Sequence, residues 1–282
     1  MKKILTLGYI SIVTSTLLIG CGNNSNNKNK LLTSNTINEY SQRNHNQTDE
    51  QNGIFDINNY PLSTLTQDLK DAISYMGNEE RLAYDVYTNI YNYHAENNGL
   101  DIMQLKNIAD RSETKHIQIV QSIVRKYDLS EENLTNVTIA VANSNTAFED
   151  LPSGVYDIPA IQNLYDVLYA KGIQSQQDAL EVGCMVEVTD ITDLDEKIII
   201  AQESNATDVF DAFTVLRDAS YNHYWAFDNG LQNIGITDGC CSIGEINGIN
   251  YCHPEYPQNG VDDNNSIELQ QGQSQRVRHG RN

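Results

Sequence analysis

Apolar residues recur at intervals of three and four through the middle of the chain, and this period limits the possible folds more than any other feature. It is the period of an amphipathic α-helix, and no alternating run is long enough to predict a sheet. We therefore predict an all-helical domain over residues 60–234. Its four long helices are predicted at 63–96, 101–127, 175–203 and 206–231, and an extra helix at 158–171 lies in the long crossover between the second and third.

Each long helix has polar residues in the middle of its apolar stripe. Helices joined by short turns run antiparallel, so a residue n positions before a turn lies beside one about n positions after it. Glu80 and His116 are each 18 residues from Asn98 in the first turn, and the same count about the turn at Asn205 gives one level again. We expect five polar residues to converge in the core of an antiparallel four-helix bundle: Glu80, Glu113, His116, Glu187 and His223.

Three carboxylates crowded into a core need a positive partner, because burial and mutual repulsion both disfavour their charge. Oxygen and imidazole donors together suit Fe, Mn or Zn. Glu113 and His116 are three residues apart, which places both on one helix face. We predict a centre of one or two iron ions, with Mn or Zn as alternatives, in which Glu113 bridges if two ions bind.

Two segments resemble a known class of metalloprotein. Residues 77–87 (GNEERLAYDVY) and 109–116 (ADRSETKH) are similar to the first two helices of ferritin-like proteins of the rubrerythrin and bacterioferritin type. Residues 186–191 (VEVTDI) and 219–223 (ASYNH) more closely resemble the exported ferritin-like family called domain of unknown function 2202. The resemblance covers about residues 65–230. It implies a four-helix ferritin-like fold with a carboxylate-bridged metal centre, and it implies no established reaction.

The fourth helix departs from the ferritin pattern. Ser220 stands three residues before His223, where a second Glu is expected. Asp190 lies one turn after Glu187, so it either replaces the missing carboxylate or is a solvated acid on the helix face. The second metal ion depends on which alternative holds.

Three kinds of neighbouring residue are assigned other roles. Glu79 points away from the apolar stripe, so we expect it to be exposed. His94 is near a helix end, where we expect it to cap or pack. Tyrosines at helical spacing, Tyr87 among them, usually pack in the core or at its rim; a redox-active ring near the metal is the alternative.

The first 20 residues have the pattern of a lipoprotein signal peptide. Lys2 and Lys3 precede an apolar run, which ends in Leu-Ile-Gly before Cys21. This ending resembles a bacterial lipobox, in which Cys21 carries the lipid; the alternative is an ordinary cleaved signal with an incidental cysteine. We predict an exported protein of the cell envelope, anchored by lipid to a bacterial membrane.

The segments that flank the helical domain are polar. Residues 21–59 are rich in Asn, Ser, Thr and Gln and are predicted to be a disordered spacer, because they have too few apolar residues to offset the entropy of ordering. Residues 235–254 form a cysteine-containing extension, and residues 255–282 are predicted to be a disordered tail. The chain has 18 Lys and Arg against 38 Asp and Glu, a net charge of −20, which argues against a nucleic-acid partner.

Four cysteines other than Cys21 are disulfide candidates, because disulfides persist in exported proteins. Cys184 lies in the third helix, at a level near the end of the fourth, whereas Cys240, Cys241 and Cys252 follow the fourth helix. We favour a single bridge, from Cys252 to Cys240 or Cys241, over two bridges that also use Cys184. A small metal knuckle with His253 is the remaining alternative.

Two functions fit these features. The first is a metal-dependent oxidoreductase of the ferroxidase or peroxidase type, in which ferrous ions react with dioxygen or peroxide. The sequence lacks the two Cys-x-x-Cys pairs of a rubredoxin site, so such a cycle needs an external electron donor. The second is a lipid-anchored binding or structural bundle without metal, in which the buried carboxylates pair with protonated histidines.

Overall fold

The computed structural model describes residues 55–130, 134 and 151–258, and these form mostly α-helix. The predicted signal peptide and Cys21 lie outside the described residues, as do most of the predicted spacer and tail. None of the described helices has the length and apolar character to span a bilayer. The all-α prediction is confirmed, with six helices in the described ranges: α1 (Gln67–Asn98), α2 (Met103–Ile108), α3 (Thr114–Lys126), α4 (Pro159–Gly172), α5 (Gln176–Glu203) and α6 (Thr207–Asn233).

The helix ends follow from local sequence. The Thr66 hydroxyl accepts the Leu69 N–H at the start of α1, and Gly99 ends that helix with a φ of 60°. Ser175 caps α5 in the same way, by accepting the Asp178 N–H. Each helix therefore begins and ends within four residues of its predicted limits.

The predicted second helix is interrupted by a single π-helical turn. The turn is Ala109–Glu113, between α2 and α3. A π turn inserts one extra residue into a helix and is frequent at functional sites. Here it ends on one of the predicted metal ligands, Glu113.

A polar layer divides the apolar core. In α1, Leu69, Ile73 and Met76 belong to one buried apolar cluster, whereas Leu82 and Val86 belong to another. The same division occurs in α5 and α6, which make the most extensive helix contact among the described residues. The polar interruptions of the stripes lie between the two clusters.

Both predicted disordered segments begin or end with ordered residues. Ile57, assigned to the spacer, is buried in a 3-10 turn, and Lys126 of α3 donates to its carbonyl. Tyr256 and Pro257, assigned to the tail, accept hydrogen bonds from the Trp225 indole N–H of α6. Burial and hydrogen bonds thus extend the ordered region a few residues beyond both predicted limits.

The extension after α6 folds back through a 3-10 turn (Gly239–Ile243) and a hairpin of β1 (Glu245–Ile246) and β2 (Ile249–Asn250). It contains two disulfides, Cys184–Cys240 and Cys241–Cys252. The preference for a single bridge was therefore wrong, because the chain turns back sharply enough to reach α5. Gly239 makes this turn at a φ of 52°, and Asp228 accepts the Cys240 N–H.

Candidate metal centre

The carboxylate of Glu113 lies between two imidazoles in the polar layer. Its Oε2 is 3.2 Å from Nδ1 of His116, and its Oε1 is 3.1 Å from Nδ1 of His223. The two rings are stacked with centroids 5.3 Å apart. Glu113 is 1% exposed, so this group of three is shielded from solvent.

Two further carboxylates complete a nearly symmetric arrangement. Oε2 of Glu80 is 3.0 Å from Nδ1 of His116, and Oε2 of Glu187 is 3.4 Å from Nδ1 of His223. Each half of the site therefore has one imidazole, one terminal carboxylate and one oxygen of Glu113. The five residues come from α1, the π turn, α3, α5 and α6, which is the convergence expected from counting about the turns.

These distances fit the edges of a metal coordination shell. Donor atoms about 2.1 Å from one ion are roughly 3.0 Å apart at right angles and roughly 3.4 Å apart at the tetrahedral angle. The four carboxylate–imidazole distances lie between 3.0 and 3.4 Å. All four involve Nδ1, so both rings present the same nitrogen to the carboxylates.

Asp190 belongs to the same layer. It is 4% exposed, and its Oδ2 accepts a hydrogen bond of 2.6 Å from the Ser220 hydroxyl. The alternative of a solvated helix-face acid was therefore wrong, because this turn of α5 faces α1 and α6. Oδ1 of Asp190 and Oε1 of Glu80 are buried without a hydrogen-bond partner among the described residues. Such unpaired oxygens suit a cation.

The charges of the layer also suit a cation. Glu80, Glu113, Glu187 and Asp190 are four carboxylates against two imidazoles. Even with both imidazoles protonated, the fully ionised layer keeps a net charge of −2. Two divalent cations would balance the four carboxylates with both imidazoles neutral, as metal ligation requires.

The same crowding shifts the pKa values in the metal-free protein. Burial alone would lower the pKa of His223, but Glu187 and Glu113 raise it to about 10. Burial would likewise raise the pKa of Glu113, but the two imidazolium groups lower it to about 2. Burial and the neighbouring carboxylates raise the pKa of Asp190 well above its usual value. Protons thus hold the metal-free site together, and bound cations would compete with them.

Two hydroxyl groups orient the candidate ligands, and the sequence analysis assigned neither of them this role. Ser112 in the π turn has its Oγ 2.8 Å from Nε2 of His223 and 3.4 Å from Nε2 of His116. The Tyr87 hydroxyl donates to Oε1 of Glu187 in a short hydrogen bond. Hydrogen bonds of this kind fix the tautomer and orientation of metal ligands. Ser112 lies one turn before His116 and Tyr87 two turns after Glu80, and this helical spacing from a ligand is the available signal.

Glu79 and His94, which the sequence analysis assigned roles outside the metal centre, differ in how they compare with the structure. Glu79 is 3% exposed, so the expectation of an exposed side chain was wrong; α1 is packed on more than one side. His94 packs at the end of α1, with Nε2 2.8 Å from the Gly172 carbonyl oxygen and Nδ1 2.9 Å from the Asn98 amide. His94 therefore has a structural role outside the layer.

Comparison with known proteins gives a family and a solved relative. The family model described as "Uncharacterized protein domain (DUF2202)" matches residues 69–247. "Uncharacterized protein MJ0754" of Methanocaldococcus jannaschii is 31% identical over 179 residues, which cover 64% of this chain and 83% of the relative. The crystal structure of hypothetical protein MJ0754 from Methanococcus jannaschii is similar at a TM-score of 0.51 and 30% identity, over 62% of this chain and 86% of that chain.

Proposed function

This chain belongs to the DUF2202 family, and we propose that it is a ferritin-like metalloprotein whose polar layer binds two transition-metal ions. Iron is the metal we favour, with Mn or Zn as alternatives, because the donor set combines carboxylates and imidazoles. The observation that carries the proposal is the Glu113 carboxylate, whose two oxygens face different imidazoles. A carboxylate in this position can bridge two ions.

The proposal assigns the ligands by half-site. Glu80 and His116 would hold one ion and Glu187 and His223 the other, and Glu113, which contacts both imidazoles, would serve both. The free oxygen of Asp190 supplies the carboxylate that is missing from the fourth helix, while Ser220 holds its other oxygen. If only one ion binds, the group of Glu113, His116 and His223 is the best site, because their donor atoms lie within 4.8 Å of one another.

A bound iron pair would supply one-electron redox steps and Lewis acidity toward dioxygen or peroxide. The chain's own residues would exclude bulk water, since every proposed ligand is at most 7% exposed. Tyr87 and Ser112 would keep the carboxylate and imidazole ligands in place and hold protons beside them. An external donor would return the electrons. The proposed reaction is therefore of the ferroxidase or peroxidase type.

The close contacts between imidazoles and carboxylates also favour a second function. With both histidines protonated, the hydrogen bond of His116 to Glu80 and the ion-pair contact of His223 with Glu113 could form an ionic network in a bundle that binds no metal. The unpaired oxygens of Glu80 and Asp190 argue against this alternative, because a purely structural network has donors for its acceptors.

Metal analysis separates the two functions. The full chain, purified without chelator, is expected to contain Fe, Mn or Zn by elemental analysis, and the metal-free protein is expected to take up two ions in an anaerobic titration. Glu113→Gln should abolish binding at both half-sites, whereas Glu96→Gln, an exposed change on α1 with the same loss of charge, should not. A wild-type protein that takes up none of these metals would leave the structural alternative.

We further propose that the protein is an exported lipoprotein anchored through Cys21 to a bacterial membrane of the cell envelope. Two disulfides among the described residues support an oxidising compartment. Cells grown with labelled palmitate should incorporate the label into the wild type and not into Cys21→Ser. Label in the variant would contradict the anchor.

A further inference from the structure

Glu79 is a buried acid with no hydrogen-bond donor. It is 3% exposed, and neither of its oxygens has a hydrogen-bond partner among the described residues. The charged groups that act on it are other acids, Asp193 and Asp190 of α5 and the adjacent Glu80, and Asp193 is within hydrogen-bonding distance. While Glu79 is protonated it can share its proton with Asp193, but once ionised these buried acids repel one another and only a cation can pair with them.

Glu79 and Glu80 face different helices although they are consecutive in α1. Glu80 contacts His116 of α3, whereas Glu79 lies beside α5. Neighbouring residues on a helix are separated by about 100°. Glu79 therefore lies outside both half-sites and beside the layer, at the seam between α1 and α5.

Along α5, successive acidic residues lie progressively closer to the protein surface. Glu187, Asp190 and Asp193 follow one another at intervals of three residues, which is about 4.5 Å of helix rise for each step. Glu187 is 2% exposed and Asp190 4%, whereas Asp193 is partly exposed. At the outer end, the Tyr75 hydroxyl bonds to Asp193, and Glu196 is exposed.

We propose that Asp193, Glu79 and Asp190 form a passage for divalent cations from the surface to the centre, with Glu79 as its buried intermediate site. The chemistry is that of a small hard or borderline cation, which exchanges water for carboxylate oxygens step by step. A cation would move only a short distance between carboxylates. Asp190 and Asp193 are about one helix turn apart on α5, and Glu79 of α1 lies beside both. The passage rests on the proposed function, because it needs a metal centre at its inner end.

An intermediate site changes the rate of loading and leaves the end state unchanged. The test therefore compares rates with equilibrium affinity in the full chain, with cobalt(II) chloride as the probe and the visible absorption of bound Co²⁺ as the signal. Stopped-flow mixing of metal-free protein with excess Co²⁺ gives the loading rate, and a titration gives affinity and stoichiometry. Glu79→Gln keeps the shape of the side chain and removes its charge. Glu203→Gln, also on α5 and exposed, makes the same charge change away from the passage.

The expected result is a loading rate at least about tenfold slower in Glu79→Gln, since charges of one sign raise the local concentration and the association rate of a counter-ion by such factors. Asp193→Asn should slow loading by a smaller factor, and Glu203→Gln should match the wild type. Stoichiometry and affinity should stay within twofold in all three, because entry and exit slow together. Chelator-driven release should slow in the same variants.

Three outcomes would contradict the proposed passage and leave the proposed function unaffected. Glu79→Gln could load as fast as the wild type, it could lose affinity and so be a ligand of the centre, or Glu203→Gln could be slowed equally through net charge alone. Wild-type protein that shows no Co²⁺, Fe²⁺, Mn²⁺ or Zn²⁺ binding at equilibrium would instead refute the proposed function. If Glu79→Gln fails to fold, Asp193→Asn provides the same comparison from the partly exposed end.

Discussion

Two regions of the molecule bury carboxylates and treat them in opposite ways. Asp208, at the start of α6, is 0% exposed and fully partnered: its Oδ1 accepts from Ser63, and its Oδ2 accepts from Lys126 and Tyr127. The carboxylates of the candidate metal centre outnumber their partners and leave oxygens unpaired. A buried charge that the chain neutralises itself stabilises the fold, whereas one that it leaves unpaired takes up a proton or, as we propose for this layer, a metal cation.

The largest expected effect comes from removing the cation that pairs with Asp208. Lys126→Met leaves Asp208 buried without its cation and should reduce the free energy of unfolding by about 3–5 kcal/mol. Lys115→Met, an exposed change on α3, should cost much less. Urea unfolding measures both. A loss below about 1 kcal/mol for Lys126→Met would mean that Tyr127 and Ser63 satisfy Asp208 without the ammonium group.

The next largest effect is the stabilisation of the polar layer by a bound metal. A metal that binds only the native state should add about 2.7 kcal/mol at a concentration of 100 times its dissociation constant. The melting temperature of the wild type should rise accordingly when Fe²⁺, Mn²⁺ or Zn²⁺ is added after chelator treatment. Glu113→Gln should show no rise, whereas Lys126→Met should keep the full increment. An equal rise in Glu113→Gln would locate the binding elsewhere.

The contributions of the polar layer and of Asp208 to the free energy of unfolding should change with pH in opposite directions. The raised pKa values of His116 and His223 stabilise the metal-free protein below about pH 6.5, and this contribution is lost as pH rises toward the His223 pKa of about 10. The pKa of Asp208 is lowered by Lys126 and the two hydroxyls against the effect of burial, so its contribution is present at neutral pH and is lost on strong acidification.

Melting curves between pH 6 and pH 9 test the histidine contribution alone, because the contribution of Asp208 does not change in this range. The metal-free wild type should melt at a lower temperature at pH 9 than at pH 6, and the increment due to added metal should be larger at pH 8 than at pH 6, because the imidazoles must lose their protons. A metal increment that is independent of pH would argue against histidine ligation.

The smallest expected effects come from removing the hydroxyl group of Tyr127 or of Tyr87. Tyr127 donates to Asp208 and Tyr87 to Glu187, so each holds a buried carboxylate. Tyr127→Phe should cost about 1–2 kcal/mol of stability with no change in metal affinity. Tyr87→Phe should weaken metal binding about tenfold, as expected for a residue that orients a ligand. Equal metal affinities in the two variants would show that Tyr87 only packs.

The helices were predictable because their signals are local. Period, caps and turns placed each helix within a few residues, and counting about two turns brought Glu80 and His116 to one level. The burial of Glu79 was not predictable from a single stripe, because α1 contacts α3 on one side and α5 on another, so that two adjacent acids are buried. The bridge to Cys184 depended on the backbone turn at Gly239, which the helical period does not describe.

The π turn makes the centre sensitive to a single codon. Removing one residue from Ala109–Glu113 would restore a regular α-helix and leave α2 and α3 in nearly the same relative orientation, because the π turn takes up the extra residue locally. Leu105 and Val120 would then still face the core, and the change would fall on the residues of the turn itself, which include Ser112 and Glu113. A one-residue gap at this turn therefore marks a relative that lacks the π turn and in which the layer is built differently.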